Sequence, residues 1–172
     1  MTPVDGVPEY GRMGVAFLES IKYVGHLFPV AFFRIYVGYY FFHGALERLE
    51  TGYLREAHLA GAVQEWIPHT TAAEWYIDLI QSVIVPYWQA FSYLLTGCEF
   101  FIGISFIVGF LVRPAALIGI FLYLNFVYAD VQSLGDLTEV YLAVFVMMFW
   151  LGAGRCLGFD YFFFKRQRGI WW

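Results

Sequence analysis

Residues Tyr93–Val112 read YLLTGCEFFIGISFIVGFLV, and this run decides the class of the chain. Apart from Cys98, its only ionisable group is Glu99. A carboxylate at the centre of a membrane helix costs roughly 2.5–3.5 kcal/mol on insertion scales, so it implies a partner or a task. A second charge, Arg34, interrupts the earlier apolar run FPVAFFRIYVGYYFF. Composition agrees with a lipid-embedded chain. Of the 172 residues, 60% are apolar and 22% aromatic, and mean hydropathy is +0.62. Soluble domains sit near 45–50% apolar. The length suits one domain, covering 1–172.

Working outward from that run, four spans emerge when each must cover about 30 Å of hydrocarbon at 1.5 Å per residue. They are placed at about 24–46, 87–112, 114–129 and 140–157. The expected fold is therefore an all-α integral membrane protein, a four-helix transmembrane bundle. Pro114 suits the first position of a helix, and with Arg113 it implies a tight turn between spans two and three. Small-xxx-small spacings at Ala115/Gly119 and Gly154/Gly158 mark possible packing faces.

Lys and Arg placement orients the bundle. Four spans put both termini on one side, which then holds Arg12, Lys22, Arg113, Arg155, Lys165, Arg166 and Arg168. The opposite side holds only Arg48 and Arg55, with most of the acidic residues. Both termini are expected in the cytoplasm, with the acidic, aromatic face outward. Residues 1–20 show no basic patch followed by an apolar core and a small-residue cleavage site. The C-terminal GAGRCLGFDYFFFKRQRG reads as an amphipathic foot on the anionic inner leaflet.

The segment 50–86 exceeds a simple connection. Tyr53, Ala57, Ala60 and Val63 share one helical face. Tyr76, Leu79, Ile80, Val83 and Ile84 share another, opposite Glu74, Asp78, Gln81 and Ser82. Thr71-x-x-Glu74 has capping-box spacing, and Trp66, Trp75 and Trp88 suit the headgroup level. These features predict an outward-facing cap of interfacial helices.

Depths along the spans bring Arg34 and Glu99 to similar heights, so the sequence predicts that they pair. Such a pair either fixes helix register or leaves Glu99 facing a cavity, where it handles protons or a polar headgroup. His43, Asn125 and Asp130, with Tyr123 and Tyr128 nearby, share the outer half. With Glu99 they supply what a quinone headgroup needs: donors for two carbonyl oxygens, a proton-exchanging group and aromatic walls. Histidine placement argues against a bis-ligated haem, and no metal site is expected. Cys98 and Cys156 form no C-x-x-C pair, which argues against thiol–disulfide exchange. Cys98 reads as a packing residue.

Three separated motifs resemble the DoxX family. FFRIYVGYYFFHGALERL resembles its first helix. CEFFIGISFIVGFLVRPAAL resembles its E-x-x-x-G…G-x-x-x-R-x-A-A-L hairpin. FWLGAGRCLGFDYFF resembles its closing G-x-G-R-x-x-G-x-D segment. The resemblance implies a four-helix membrane subunit of a bacterial or archaeal cytoplasmic membrane. It makes Arg34, Glu99, Arg113, Arg155 and Asp160 motif positions without assigning their chemistry. Their placement at span ends gives Arg113, Arg155 and Asp160 structural or lipid-contacting roles. DoxD-type relatives belong to thiosulfate:quinone oxidoreductase. The resemblance therefore implies an oxidoreductase subunit that passes electrons from a reduced sulfur compound, or from a partner membrane or redox subunit, to a quinone. The catalytic residues stay unassigned. No covalently bound cofactor and no nucleic acid are expected. A second reading, from a different class, is a non-catalytic assembly subunit of a larger membrane complex. A small-solute transporter is weaker, because four spans show no evident inverted repeat.

Overall fold

A computed structural model describes residues 28–129, 137–155 and 158–160. Among them the chain is helical, with no strand. Helix α1 is Phe28–Glu50, α2 is His58–Trp66, and α3 is Glu74–Leu79, which continues into a π-helical turn at Ile80–Ile84. Helix α4 is Trp88–Val108, α5 is Val112–Tyr128, α6 is Leu137–Leu151, and a 3-10 turn follows at Ala153–Arg155. One helix, α4, is both long and apolar enough to cross a membrane, while α5 and α6 are shorter apolar helices. Large apolar side chains face outward on every long helix, including Tyr36 on α1, Leu94 on α4, Phe121 on α5 and Trp150 on α6. Contiguous apolar exposure of this kind is rare on soluble monomers.

The α1–α4 seam is the most extensive helix contact and is built on two glycines. A Cβ on Gly38 would lie 2.8 Å from Ile107 N, and one on Gly103 would lie 2.7 Å from Phe42 N. The backbones therefore touch where the helices cross, as small residues allow between apolar helices. Neither glycine lies in the two small-xxx-small pairs singled out from the sequence. Ala115 and Gly119 do pack: both are buried, and a Cβ on Gly119 would strike the Phe145 ring of α6. Phe41, Phe106 and Phe145 interlock between the helices, with Phe41 and Phe145 centroids 5.3 Å apart. Replacing Gly103 with leucine is expected to force α1 and α4 apart and cost at least 3 kcal/mol, beyond the usual 1–3 for overpacking, because the obstacle is backbone. Reversible unfolding in detergent checks this, and an unchanged midpoint would sink it.

The hairpin between α4 and α5 is tighter than the spans drawn from sequence. Helix α4 ends at Val108 rather than at 112, and α5 begins at Val112, so Pro114 is its third residue rather than its first. The Pro114 nitrogen still falls in the first turn, where a missing N–H leaves no bond unmade. Helix α1 is described from Phe28 and runs to Glu50, beyond the expected end at 46. The expected chain before Phe28, the last residues of span four and the foot beyond Asp160 lie outside the described residues.

The connection between α1 and α4 folds over the end of α5. Trp66 Nε1 and Thr70 Oγ1 both donate to the Ala129 carbonyl, at 2.7 and 2.6 Å. Tyr76 packs edge-on against Tyr128, with centroids 5.0 Å apart. Helix α3 starts at Glu74, the last position of the expected capping box, with Ala73 at its N-cap. The neighbouring hydroxyl of Thr70 accepts from Ala72 N–H. The expected single apolar face of this segment divides at the π turn. Ile80 is buried, whereas Val83 is exposed, because a wider turn rotates the following side chains off the stripe; Leu79, before the turn, is exposed as well.

Candidate functional site

The pairing of the two intramembrane charges differs from the expectation. Glu99 Oε2 lies 2.8 Å from Nη1 of Arg48, not from Arg34. The α1–α4 register explains this. Gly38 packs at Phe106–Ile107, and the Phe42 and Phe100 rings lie 5.0 Å apart. Arg34 therefore sits level with the α4–α5 turn, and the level of Glu99 falls between Phe42 and Arg48. Side chains on a helix tilt toward its N-terminus. The tilt carries Arg34 away from Glu99 and brings Arg48 down to it. Arg48 also continues the buried stripe Ala31, Arg34, Gly38, Phe41 and Ala45. That i, i+3/i+4 spacing was a signal available in the sequence and passed over, because Arg48 lay outside the drawn span.

The Glu99 side chain is 12% exposed and that of Arg48 32%. The contact is a partly buried ion pair across the α1–α4 seam. The guanidinium also lies over the Tyr53 ring, 5.3 Å from its centroid, a cation–π contact. Burial pushes the Tyr53 phenol above its ordinary pKa, with Arg48 opposing and Glu99 adding to the shift. The other face of Tyr53 stacks on His58, which pairs with Glu56 at 2.9 Å. On the inner side, Tyr123 of α5 feels the charges of Glu99 and Arg48. It sits among Phe41, Tyr141 and Phe145 at 5.4–6.0 Å between centroids. Tyr141 in turn stacks on Tyr40 at 5.6 Å. A charge pair set between phenols can hold a polar headgroup, orient a ring and exchange a proton.

The other residues expected around Glu99 are placed as follows. His43 is exposed on α1 and lies beside Tyr39, 5.8 Å between rings, rather than on the α4 seam. Asn125 is committed to α5 and the cap: its Nδ2 donates to Phe121 O at 2.6 Å, and Tyr76 Oη lies 3.4 Å from its Oδ1. Asp130 lies outside the described residues. Tyr123 packs among the rings of Phe41, Tyr141 and Phe145, and Tyr53, a residue of the expected cap, lies over the Arg48 guanidinium. Cys98 is a free, partly buried thiol. No group of three potential metal ligands occurs among the described residues.

Arg34 organises a second cluster, at the opposite end of the helices. Its side chain is fully buried, with Nε donating to Phe106 O at 2.8 Å and Nη1 to Ala153 O at 2.6 Å. Phe106 is among the last four residues of α4, whose carbonyls have no intrahelical donor, so Arg34 caps that helix from the side. Asp160 caps the next one. Its carboxylate accepts from Leu111 N–H at 2.8 Å and Val112 N–H at 3.2 Å, and its own N–H donates to Gly109 O. A carboxylate suits a helix N-terminus. Burial raises the Asp160 carboxyl pKa, opposed by those two N–H groups and by the charges of Arg34 and Arg113. Gly109 has φ +71° and Leu111 φ 56°, both left-handed. A Cβ on Gly109 would lie 2.5 Å from Gly158 Cα and 2.9 Å from both terminal nitrogens of Arg34. Gly154 and Gly158 likewise serve this knot rather than a helix–helix face, since a Cβ on Gly154 would strike the Asp160 carboxylate. The Arg113 guanidinium passes beside Gly152. The backbone of Arg155 lies in the 3-10 turn, and its side chain is outside the described set.

The DoxX family model matches residues 30–132, more than half of the 172. No curated protein and no solved structure matches the chain.

Proposed function

The chain belongs to the DoxX family of membrane proteins, and we propose that it is a four-span inner-membrane subunit whose outer-half site takes a quinone headgroup. In this reading α1, α4, α5 and α6 are the spans, with both termini cytoplasmic and the α2–α3 cap lying in the outer interface. Helices α5 and α6, of 17 and 15 residues, are short for about 30 Å of hydrocarbon. A bilayer accommodates a short span by thinning locally. The lysine and arginine asymmetry supports the orientation.

The observation that carries the quinone reading is the Glu99–Arg48 pair, nearly closed from outside and covered on the Arg48 side by the Tyr53 ring. A quinone becomes a quinol by taking two electrons and two protons. The electrons come from a partner subunit or a reduced sulfur compound. Glu99 passes protons to the ring oxygens, Arg48 holds the charge that remains, and the phenols flank the ring. The redox centre belongs to the partner and the quinone.

Glu99→Gln tests this. In membranes supplied with thiosulfate or the partner donor, quinone reduction is expected to fall about 100-fold, as loss of a general acid–base group does, while the subunit still assembles. Full turnover in the variant would sink the redox role. Failure to assemble would favour the second reading, an assembly subunit of a larger membrane complex. That reading draws on the inner knot, where the motif positions Arg34, Arg113 and Asp160 gather around one turn instead of a ligand. Gentle detergent extraction followed by identification of co-purifying subunits and quinone separates the two.

A further inference from the structure

Helix α4 carries a buried polar stripe above Glu99. Ser92, Thr96 and Glu99 are spaced i, i+4 and i+7, on one face of the helix. Ser92 is 0% exposed and Thr96 3%. Neither hydroxyl has a hydrogen-bond partner among the described residues, and neither bonds back to its own helix, the usual resort of serine and threonine in apolar helices. Arg48 Nη1 stands beside the lower end of this stripe, paired with Glu99 Oε2 at 2.8 Å. The stripe rises about 10 Å from Glu99 to Ser92, toward the end of α4 beneath the cap. Tyr53 lies over Arg48 at the level of the pair.

Buried hydroxyls without partners are rare, and each requires an explanation. Two such hydroxyls, one helical turn apart on one face, call for the same one. The partner must be small, because both side chains are buried. It must both donate and accept, because a hydroxyl does both. Water meets these demands. We propose that the outer half of the α1–α4 seam binds water on Ser92 and Thr96, and that this file connects Glu99 with the outer aqueous face as a proton path. The inference deepens the reading of Glu99 as a proton-exchanging carboxylate and rests on it. Protons consumed at Glu99 then come from outside, through the seam.

The test places a thiol in the seam and reads its exchange with solvent. In a Cys98→Ala/Cys156→Ala background, Thr96→Cys carries the only thiol, and its S–H stretch converts to S–D after transfer to D2O. Leu94→Cys, at the same depth on the exposed face (61%), is the reference. Thr96→Cys is expected to exchange about tenfold faster or more, since exchange follows solvent access. Ser92→Cys repeats the measurement should Thr96→Cys fail to fold. Exchange no faster than at Leu94 overturns the proposal. Thr96→Val supplies a second readout. A hydroxyl that binds water loses a bond on replacement and the variant melts lower, with Thr96→Ser restoring it, whereas a dry orphan hydroxyl is better replaced by an apolar isostere and the variant melts higher. A higher melting temperature also overturns the proposal. Exchange is measured without turnover, so a wet seam combined with full activity in Glu99→Gln would sink the quinone reading and leave the water file standing.

Discussion

Replacing Arg34 with methionine is expected to lower stability by about 3 kcal/mol or more and to remove most folded protein from the membrane. The cost comes from what the side chain leaves behind. Arg34 is buried completely and donates to two carbonyls on different segments, Phe106 O at the end of α4 and Ala153 O after α6. Each buried carbonyl left without a donor costs about 1–3 kcal/mol, and bonds from a charged donor lie toward the upper end. Methionine refills the volume and none of the donors. Lysine keeps the charge, but its single ammonium cannot reproduce the guanidinium fork, so Arg34→Lys is expected to recover only part of the loss. Gly109→Ala should resemble Arg34→Met, because its Cβ would occupy the space of the guanidinium nitrogens and its φ is left-handed. Yield and unfolding midpoint in detergent measure all three. Wild-type stability in Arg34→Met would show that the inner knot does not hold the bundle together.

These two charge clusters mark what the sequence makes legible and what it hides. The apolar runs placed α4, α5 and α6 because lipid-class hydropathy is a local property. The α4–α5 hairpin followed from Pro114 beside Arg113, since proline constrains local backbone, and the left-handed Gly109 completes the turn. Pairing is not local. The sequence put Arg34 with Glu99 because depth was counted from drawn span edges, and the inner edge of the second span was off by four residues at Val108. On antiparallel helices an error at that edge displaces the crossing. Gly38 and Gly103 set the true register, and a close approach of two backbones shows in a sequence only as two glycines among 17. Asp160 was recognisable as a motif position, but its role depends on the first amides of α5, nearly 50 residues earlier. The cap was visible as two amphipathic patterns. Its anchor, the Ala129 carbonyl, has no side-chain signature at all.

Breaking the Glu99–Arg48 pair from each side is expected to give unequal costs and a rescue. Arg48→Met leaves the Glu99 carboxylate, 12% exposed, without its counter-charge. Truncating one partner of a fully buried pair costs roughly 3–5 kcal/mol. A third of the Arg48 side chain is open, so solvent screening reduces the loss here to about 2 kcal/mol. Glu99→Leu should cost less, because the long Arg48 stem can carry its charge outward to the interface. The double variant Arg48→Met/Glu99→Leu should recover most of the Arg48→Met loss, since apolar replacements of a buried pair are often neutral or stabilising. The coupling term of that cycle, from unfolding midpoints in detergent, is the measurement, and simple additivity would mean the pair contributes nothing. The same double variant separates the two functional readings. If the pair exists for helix register, the rescued fold should rescue assembly and every activity with it. If Glu99 handles protons for a quinone, the rescued protein should assemble and remain inactive, because a well-packed leucine restores the seam and cannot carry a proton.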